Sequence, residues 1–401
     1  MRSHKLADWF IILGFLGFLA LALVVTLVRP KSGWSYYENR NLARPAELTV
    51  ETVLDGTFPA SVEPVLQDHA AGRNTLLKLS AWADLHLFHR PVVNEVVPSE
   101  GMLLGFNAYE TPDPAYITAR AEEMAGTLAQ LRDVVEGYGG HFCYVAVPGQ
   151  YTYFAGAYPD FLNSREAYTA LELPAFTQAM AERGVPLLDM GPVLEAAGSS
   201  RELYSLADYH YQFGGAYLTY QTILEELNST LGLDLAVLEE GEDLEVQTLP
   251  NPYLGSRGRK LFGLEDCGEH LTIGLPRDPI PFTRSDNGGE TASTVYALPA
   301  TETEDVLYAL YMGGDVGETV IQTGRPELPS ILIYGDSFTN PVECLMYYSF
   351  DEMRSIDLRH YKDMTLADYI QTYQPDIVVG IRDYEALLSS DYNGSPFAIQ
   401  P

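Results

Sequence analysis

The chain has 401 residues, 46% of them hydrophobic, enough for a sizeable core in one large domain with insertions or in two ordinary ones. Fifty-five acidic residues against 24 Lys and Arg give a formal net charge of −31, which argues against nucleic acid and against electrostatic attachment to anionic lipid. Three cysteines, Cys143, Cys267 and Cys344, set neither a disulfide framework nor a metal-ligand spacing, and no cofactor is called for. The first element is a run of 20 uncharged residues, Trp9–Val28, with Arg2 and Lys5 before it and Arg29 and Lys31 after it. Twenty helical residues cross a hydrocarbon core of about 30 Å. Val24-Val25-Thr26-Leu27-Val28-Arg29-Pro30 lacks a small-x-small cleavage pattern, so residues 1–31 read as a retained anchor, with orientation left open by the basic residues on both sides.

Residues 32–110 follow as a polar, aromatic stalk (32–44), a helical stretch (51–88) with an apolar stripe of Leu66, Leu76, Leu77, Leu79, Trp82 and Leu85, and two short strands around the turn Pro98-Ser99-Glu100-Gly101. From 111 onward the pattern alternates. A helix is expected over 115–138, a strand over 141–147, a helix over 171–183, a short strand over 185–189 and a helix over 214–227. Such alternation predicts a three-layer α/β/α domain with a mainly parallel sheet. It breaks over about 232–326, read as a β-rich insertion with strand-prone pieces at 294–298 and 305–311. It resumes with strands at 330–334, 354–358 and 376–381 and helices at 341–348 and 366–373.

Two segments carry chemistry. In Leu332-Ile333-Tyr334-Gly335-Asp336-Ser337-Phe338 an apolar strand ends in a serine just before a helix, where open α/β sheets place their reactive groups. In Asp208-Tyr209-His210-Tyr211 a carboxylate and an imidazole stand two positions apart, so in extended chain they point the same way. A serine hydroxyl needs a base, and the base needs an acceptor that fixes its tautomer. Ser337, His210 and Asp208 supply all three. The helix after Ser337 would turn free N–H groups toward a developing oxyanion. A turn capped by Asp336 or Ser337 explains Gly-Asp-Ser alone equally well. His360 is the competing base.

Gly335-Asp336-Ser337-Phe338 resembles the serine block of SGNH hydrolases, with Asp-x-His placed before the serine rather than after it. That permuted order is similar to the SGNH-like domains of bacterial alginate O-acetyltransferases and to the bacterial DHHW proteins. Glu38-Asn39-Arg40-Asn41-Leu42-Ala43-Arg44-Pro45, Asp208-Tyr209-His210-Tyr211 with Gly215-Ala216-Tyr217, and Asp357-Leu358-Arg359-His360-Tyr361 carry the rest of the likeness. The resemblance implies an outward-facing, membrane-anchored enzyme that moves acetyl groups onto or off a surface polysaccharide. Ser337 would then be nucleophile, His210 base and Asp208 its orienting partner. The partners implied are that polysaccharide and an acetyl donor, for which a membrane acetyl-transfer protein is one source. Tyr209 departs from the DHHW pattern, and Gly313-Gly314-Asp315 stands where Gly-Gly-Asn is expected; an acid beside an oxyanion would hinder it. Asn340, Gly314, Gln150 and Tyr151 are oxyanion or substrate candidates by position only. The same residues would serve an acetyl esterase. A non-catalytic glycan-binding envelope protein is the third reading, supported by 27 tyrosines with clusters at 151–154 and 347–348.

Overall fold

The computed structural model describes residues 2–28, 32–107, 113–162, 165–198 and 201–399, with backbone only for 2–8; the expected boundaries at 31/32 and 110/111 and the basic residues Arg29 and Lys31 lie outside them. Two units divide the chain: residues 1–94 with 258–265, and residues 95–257 with 266–401. In the smaller unit, the helix Arg2–Val28 contains the apolar span Trp9–Val28, of mean hydropathy 2.9, long and apolar enough to cross a membrane. The expected 51–88 helix is broken by Gly56 and Gly72, both at positive φ, into Val50–Leu54, Thr57–His69 and Arg73–Trp82, the last continuing into a π-helical turn at Ala83–Leu87. Its apolar stripe is not a core face: Leu76, Leu79 and Trp82 stay exposed, Leu76 at 64%. Ion pairs link its hairpin to its helices. A short hairpin of β1 (Trp34–Ser35) and β2 (Arg40–Asn41) presents Glu38 to both guanidinium nitrogens of Arg73 at 2.7 and 2.9 Å. Arg40 grips Asp68 at 2.6 and 2.8 Å, and Asp68 also accepts the Ala43 N–H. The Glu38–Pro45 segment is thus a clamp on the helices.

The larger unit begins with the hairpin β3 (Val96–Ser99) and β4 (Met102–Gly105), paired around the predicted turn. The main sheet is built from β5 (His141–Val147) and β6 (Leu187–Asp189). Next come the separate antiparallel pair β7 (Leu244–Thr248) and β8 (Thr272–Pro276), then β9 (Thr283–Asp286), β10 (Gly289–Thr291) and β11 (Glu318–Gln322). The last strands are β12 (Ser330–Gly335), β13 (Glu352–Ile356) and β14 (Ile377–Asp383). Eight of these form one sheet in the order β10-β9-β11-β13-β12-β14-β5-β6. The five from β13 to β6 run parallel, while β11, β9 and β10 add on antiparallel. The insertion therefore extends the sheet, which makes it mixed. The expected strands at 294–298 and 305–311 do not form: the two segments pair only through the single bridge Tyr296–Tyr311, and Tyr308–Leu310 is a short 3₁₀ turn.

Both sheet faces are buried, so the parallel strands read as apolar runs without alternation. Phe142, Tyr144, Ala146, Leu332, Tyr334 and Val378 share a core with the helices Pro114–Glu136, Glu166–Glu182 and Leu366–Tyr373. Cys143, Val145, Ile331, Ile333, Val379 and Ile381 point the other way and are equally buried. The helices Phe213–Leu231 and Asn340–Met346 pack on each other on that side. The chain turns back at β12: its successor β13 lies on one flank and β14 on the other. In open α/β sheets such a reversal is where the binding crevice lies, and Ser337 stands at that carboxyl end of β12.

Two substitutions test this packing. A Cβ on Gly335 would lie 2.2 Å from the Ile381 carbonyl oxygen and 2.7 Å from Thr339 Cγ2. Gly335→Ala is expected to lower stability by about 3 kcal/mol in urea unfolding. Burial raises the Glu172 carboxyl from 4.5 to about 8, against the opposing Tyr168 hydrogen bond and Arg165 charge. The folded state therefore holds the proton more tightly, and this contribution to stability is lost as pH rises from about 4.5 to 8. Glu172→Gln should flatten that decline and stabilise the protein at pH 8 by on the order of 2–4 kcal/mol, read from unfolding midpoints across the range.

Candidate active site

Ser337 sits two residues beyond β12, in a turn closed by the Thr339 N–H on the Asp336 carbonyl. The Asp336 side chain accepts the Phe338 N–H at 3.1 Å, so it shapes the turn while Ser337 is left to face the crevice. Across it lies the loop before helix Phe213–Leu231, which carries Asp208 and His210. His210 Nε2 is 2.7 Å from Ser337 Oγ, and Nδ1 is 2.9 Å from Asp208 Oδ1. An ionised carboxylate only accepts hydrogen bonds, so Nδ1 carries the proton and Nε2 is the acceptor for the serine hydroxyl. All three side chains are buried, Ser337 at 5%, His210 at 3% and Asp208 at 2% exposed.

The two segments are tied directly. Tyr211 is fully buried, its hydroxyl donates to the Phe338 carbonyl, and the two rings meet edge to face at 5.1 Å. The imidazole lies flat on Tyr308, centroids 3.8 Å apart and planes 4° from parallel, and Tyr308 also donates to the Tyr211 carbonyl at 3.2 Å. Stacking fixes the ring plane that hydrogen bonds at its two nitrogens require.

Burial opposes ionisation of Asp208, yet its carboxyl is held well below the usual carboxylate range by the His210 hydrogen bond and charge, the Ser256 N–H and the Tyr253 hydroxyl. Ser256 N–H and Tyr253 Oη donate to Oδ2 at 2.7 and 2.9 Å, and the Tyr209 N–H donates to Oδ1 at 2.7 Å. The loop bearing these donors docks through the Arg257 N–H on the Ala207 carbonyl and through Gly255, at φ +62°, where a Cβ would lie 2.2 Å from the same oxygen. Glu269 holds the preceding stretch, accepting from Ser205 Oγ, the Leu206 N–H and Gln212 Nε2 at 2.6 to 2.8 Å.

The remaining sequence candidates separate into two places. Asn340 donates to Asp315 at 3.1 Å beside Gly314, at φ +99°, so these two share one corner with the unexpected acid. Asp315 is not an isolated charge there: Arg359 bonds it at 3.0 Å and Asp357 at 2.6 Å. Gln150 instead gives its amide N–H groups to the Leu103 and Ser205 carbonyls. Tyr151 is 6% exposed, with its hydroxyl accepting the Arg165 N–H. Exposed His360 falls in a group with Asp315 and Asp357 whose ligand atoms lie within 4.8 Å, but Arg359 occupies both carboxylates. Tyr347 and Phe154 are buried and Tyr153 stacks on Tyr204 at 4.0 Å, so the tyrosine clusters are largely packing. Tyr253, Ser256, Glu269 and Tyr308 escape sequence reasoning, since all four stand in the irregular insertion. A Gly-Ser turn at 255–256 is the faint signal.

The fold is similar to that of SGNH hydrolase-like domains, and it carries a Ser–His–Asp row in permuted order. Residues 106–289 match the family described as the SGNH hydrolase-like domain of acetyltransferase AlgX. Among solved structures, Bacillus cereus PatB1 with a sulfonyl adduct is similar at 19% identity, with a TM-score of 0.61 over 76% of this chain and 98% of that one. A DHHW family protein from Eubacterium siraeum is similar at 18% identity and TM-score 0.55, over 77% and 97%. No curated protein sequence matches the chain.

Asp208→Asn would turn a donor toward Nδ1 and reverse the tautomer, with an expected loss of about 10⁴-fold in turnover. Tyr253→Phe removes one donor from a buried charge. The acid limb of the pH–rate profile should move upward by about 1 to 2 pH units, measured with 4-nitrophenyl acetate.

Proposed function

We propose that this chain is an extracytoplasmic O-acyltransferase, anchored by Trp9–Val28, that transfers acetyl groups to hydroxyls of a cell-surface polysaccharide. The observation that carries this is the aligned row Asp208–His210–Ser337 at 2.9 and 2.7 Å, in a chain matched to an acetyltransferase family over residues 106–289. Ser337 Oγ attacks the donor's acetyl carbonyl while His210 Nε2 takes its proton, and Asp208 stabilises the imidazolium that forms. His210 returns the proton to the leaving group, which departs and leaves acetyl-Ser337. His210 then takes the proton of the sugar hydroxyl as that oxygen attacks the acyl carbonyl, and passes it to Ser337 Oγ as the serine leaves, restoring the free enzyme. Water in place of the sugar gives the esterase outcome from the same residues.

The test uses the full chain in detergent with 4-nitrophenyl acetate. Ser337→Ala should lower turnover by at least about 10³-fold, and a sulfonyl fluoride should label Ser337 alone in peptide mapping. Unchanged turnover in that variant would exclude the mechanism. Acetylated glycan against free acetate, measured on a glycan acceptor, separates transfer from hydrolysis.

A further inference from the structure

Arg257 is a half-buried cation with unspent hydrogen-bonding capacity close to the reacting groups. Its guanidinium carbon lies 5.8 Å from the centre of the Tyr209 ring, and that ring is 3.9 Å from the imidazole of His210. One aromatic ring therefore separates the guanidinium from the imidazole that touches Ser337. Among the described residues no carboxylate pairs with it, and its buried Nε has no hydrogen-bond partner. The neighbouring cation Arg359, by contrast, is fully engaged by Asp315 and Asp357. A guanidinium presents five donors in a rigid fork matched to carboxylate and phosphate oxygens, and leaving them unmet in a partly desolvated place is costly.

The group is also held in place. The Arg257 N–H is fixed to the Ala207 carbonyl at 2.9 Å, and the guanidinium packs against the bare Cα of Gly105, where a Cβ would lie 2.2 Å from Nη2. A cation positioned this way loses little freedom on binding an anion. We propose that Arg257 forms a subsite for an acidic group, carboxylate or phosphodiester, carried by the glycan acceptor, and so sets which sugar hydroxyl meets Ser337. The chain's net charge of −31 gives an acidic polymer no general attraction, so a preference for acidic ligands would have to come from a local cation such as Arg257. The competing role, in which Arg257 only props the Tyr209 ring by cation–π attraction, predicts no preference for acidic ligands.

The choice of ligand rests on the acetyl-transfer reading, but the measurement is independent of turnover because it uses Ser337→Ala in the full chain in detergent. Binding of a uronic acid hexamer, a glycerol phosphate hexamer and a neutral hexose hexamer is compared by calorimetry. At least one acidic probe should bind about tenfold or more tightly than the neutral one, and which one distinguishes carboxylate from phosphodiester. Adding Arg257→Gln should erase that difference, and Arg257→Lys should keep part of it. Gly105→Ala displaces the flexible tip of Arg257 without deleting it, and should also weaken acidic binding. Equal binding of all three probes, or equal loss of all three in Arg257→Gln, overturns the subsite. Either result leaves the ester turnover of the Ser337 chain standing, and absent turnover would leave the binding result standing.

Discussion

A buried charge organises this molecule. Asp208 is almost sealed from water and still ionised, which requires every lone-pair direction of its carboxylate to be met. The four donors come from its own loop and from a stretch some 45 residues later: His210, the Tyr209 N–H, the Ser256 N–H and the Tyr253 hydroxyl. Once the carboxylate is fixed, the tautomer of His210 follows. The position of the imidazole relative to Ser337 follows in turn, through Tyr211 gripping the Phe338 carbonyl and Tyr308 lying beneath the ring. Polar networks of this kind specify one arrangement because partial satisfaction is worse than none.

The irregular insertion is therefore more than an ornament on an α/β sheet. Part of it, β9 to β11, prolongs the sheet past β13, while the turns between its strands supply Tyr253, Ser256, Glu269 and Tyr308 to the reactive loop. Asp315 belongs to the same stretch. Its charge is set against Arg359, but that guanidinium also pairs with Asp357, so the corner shared with Asn340 and Gly314 is only partly neutralised.

The parallel strands were legible because strands buried on both faces are apolar along their whole length. His141–Val147 and Ser330–Gly335 stand close to where their composition puts them. The nearness of Asp208 to His210 was legible as well, since i and i+2 in extended chain share a side. The breaks at Gly56 and Gly72 were not, because a single glycine is tolerated within a helical pattern and only positive φ reveals the break. Nor was the exposure of Leu76 and Trp82, since periodicity marks an apolar face without saying what covers it. The insertion's contributions were hidden for a third reason: a backbone N–H, such as that of Ser256, has no signature in sequence.

The place of β14 in the sheet has a consequence for how the molecule is made. Among the described strands it alone joins β12, which leads to Ser337, to β5 and β6, which lead to the Asp208 loop, and it follows all of them in sequence. A polypeptide made only as far as residue 376 contains the hydroxyl, the imidazole and the carboxylate but lacks the ribbon that sets them in register. The nucleophile is therefore competent only once β14 has been made and has entered the sheet.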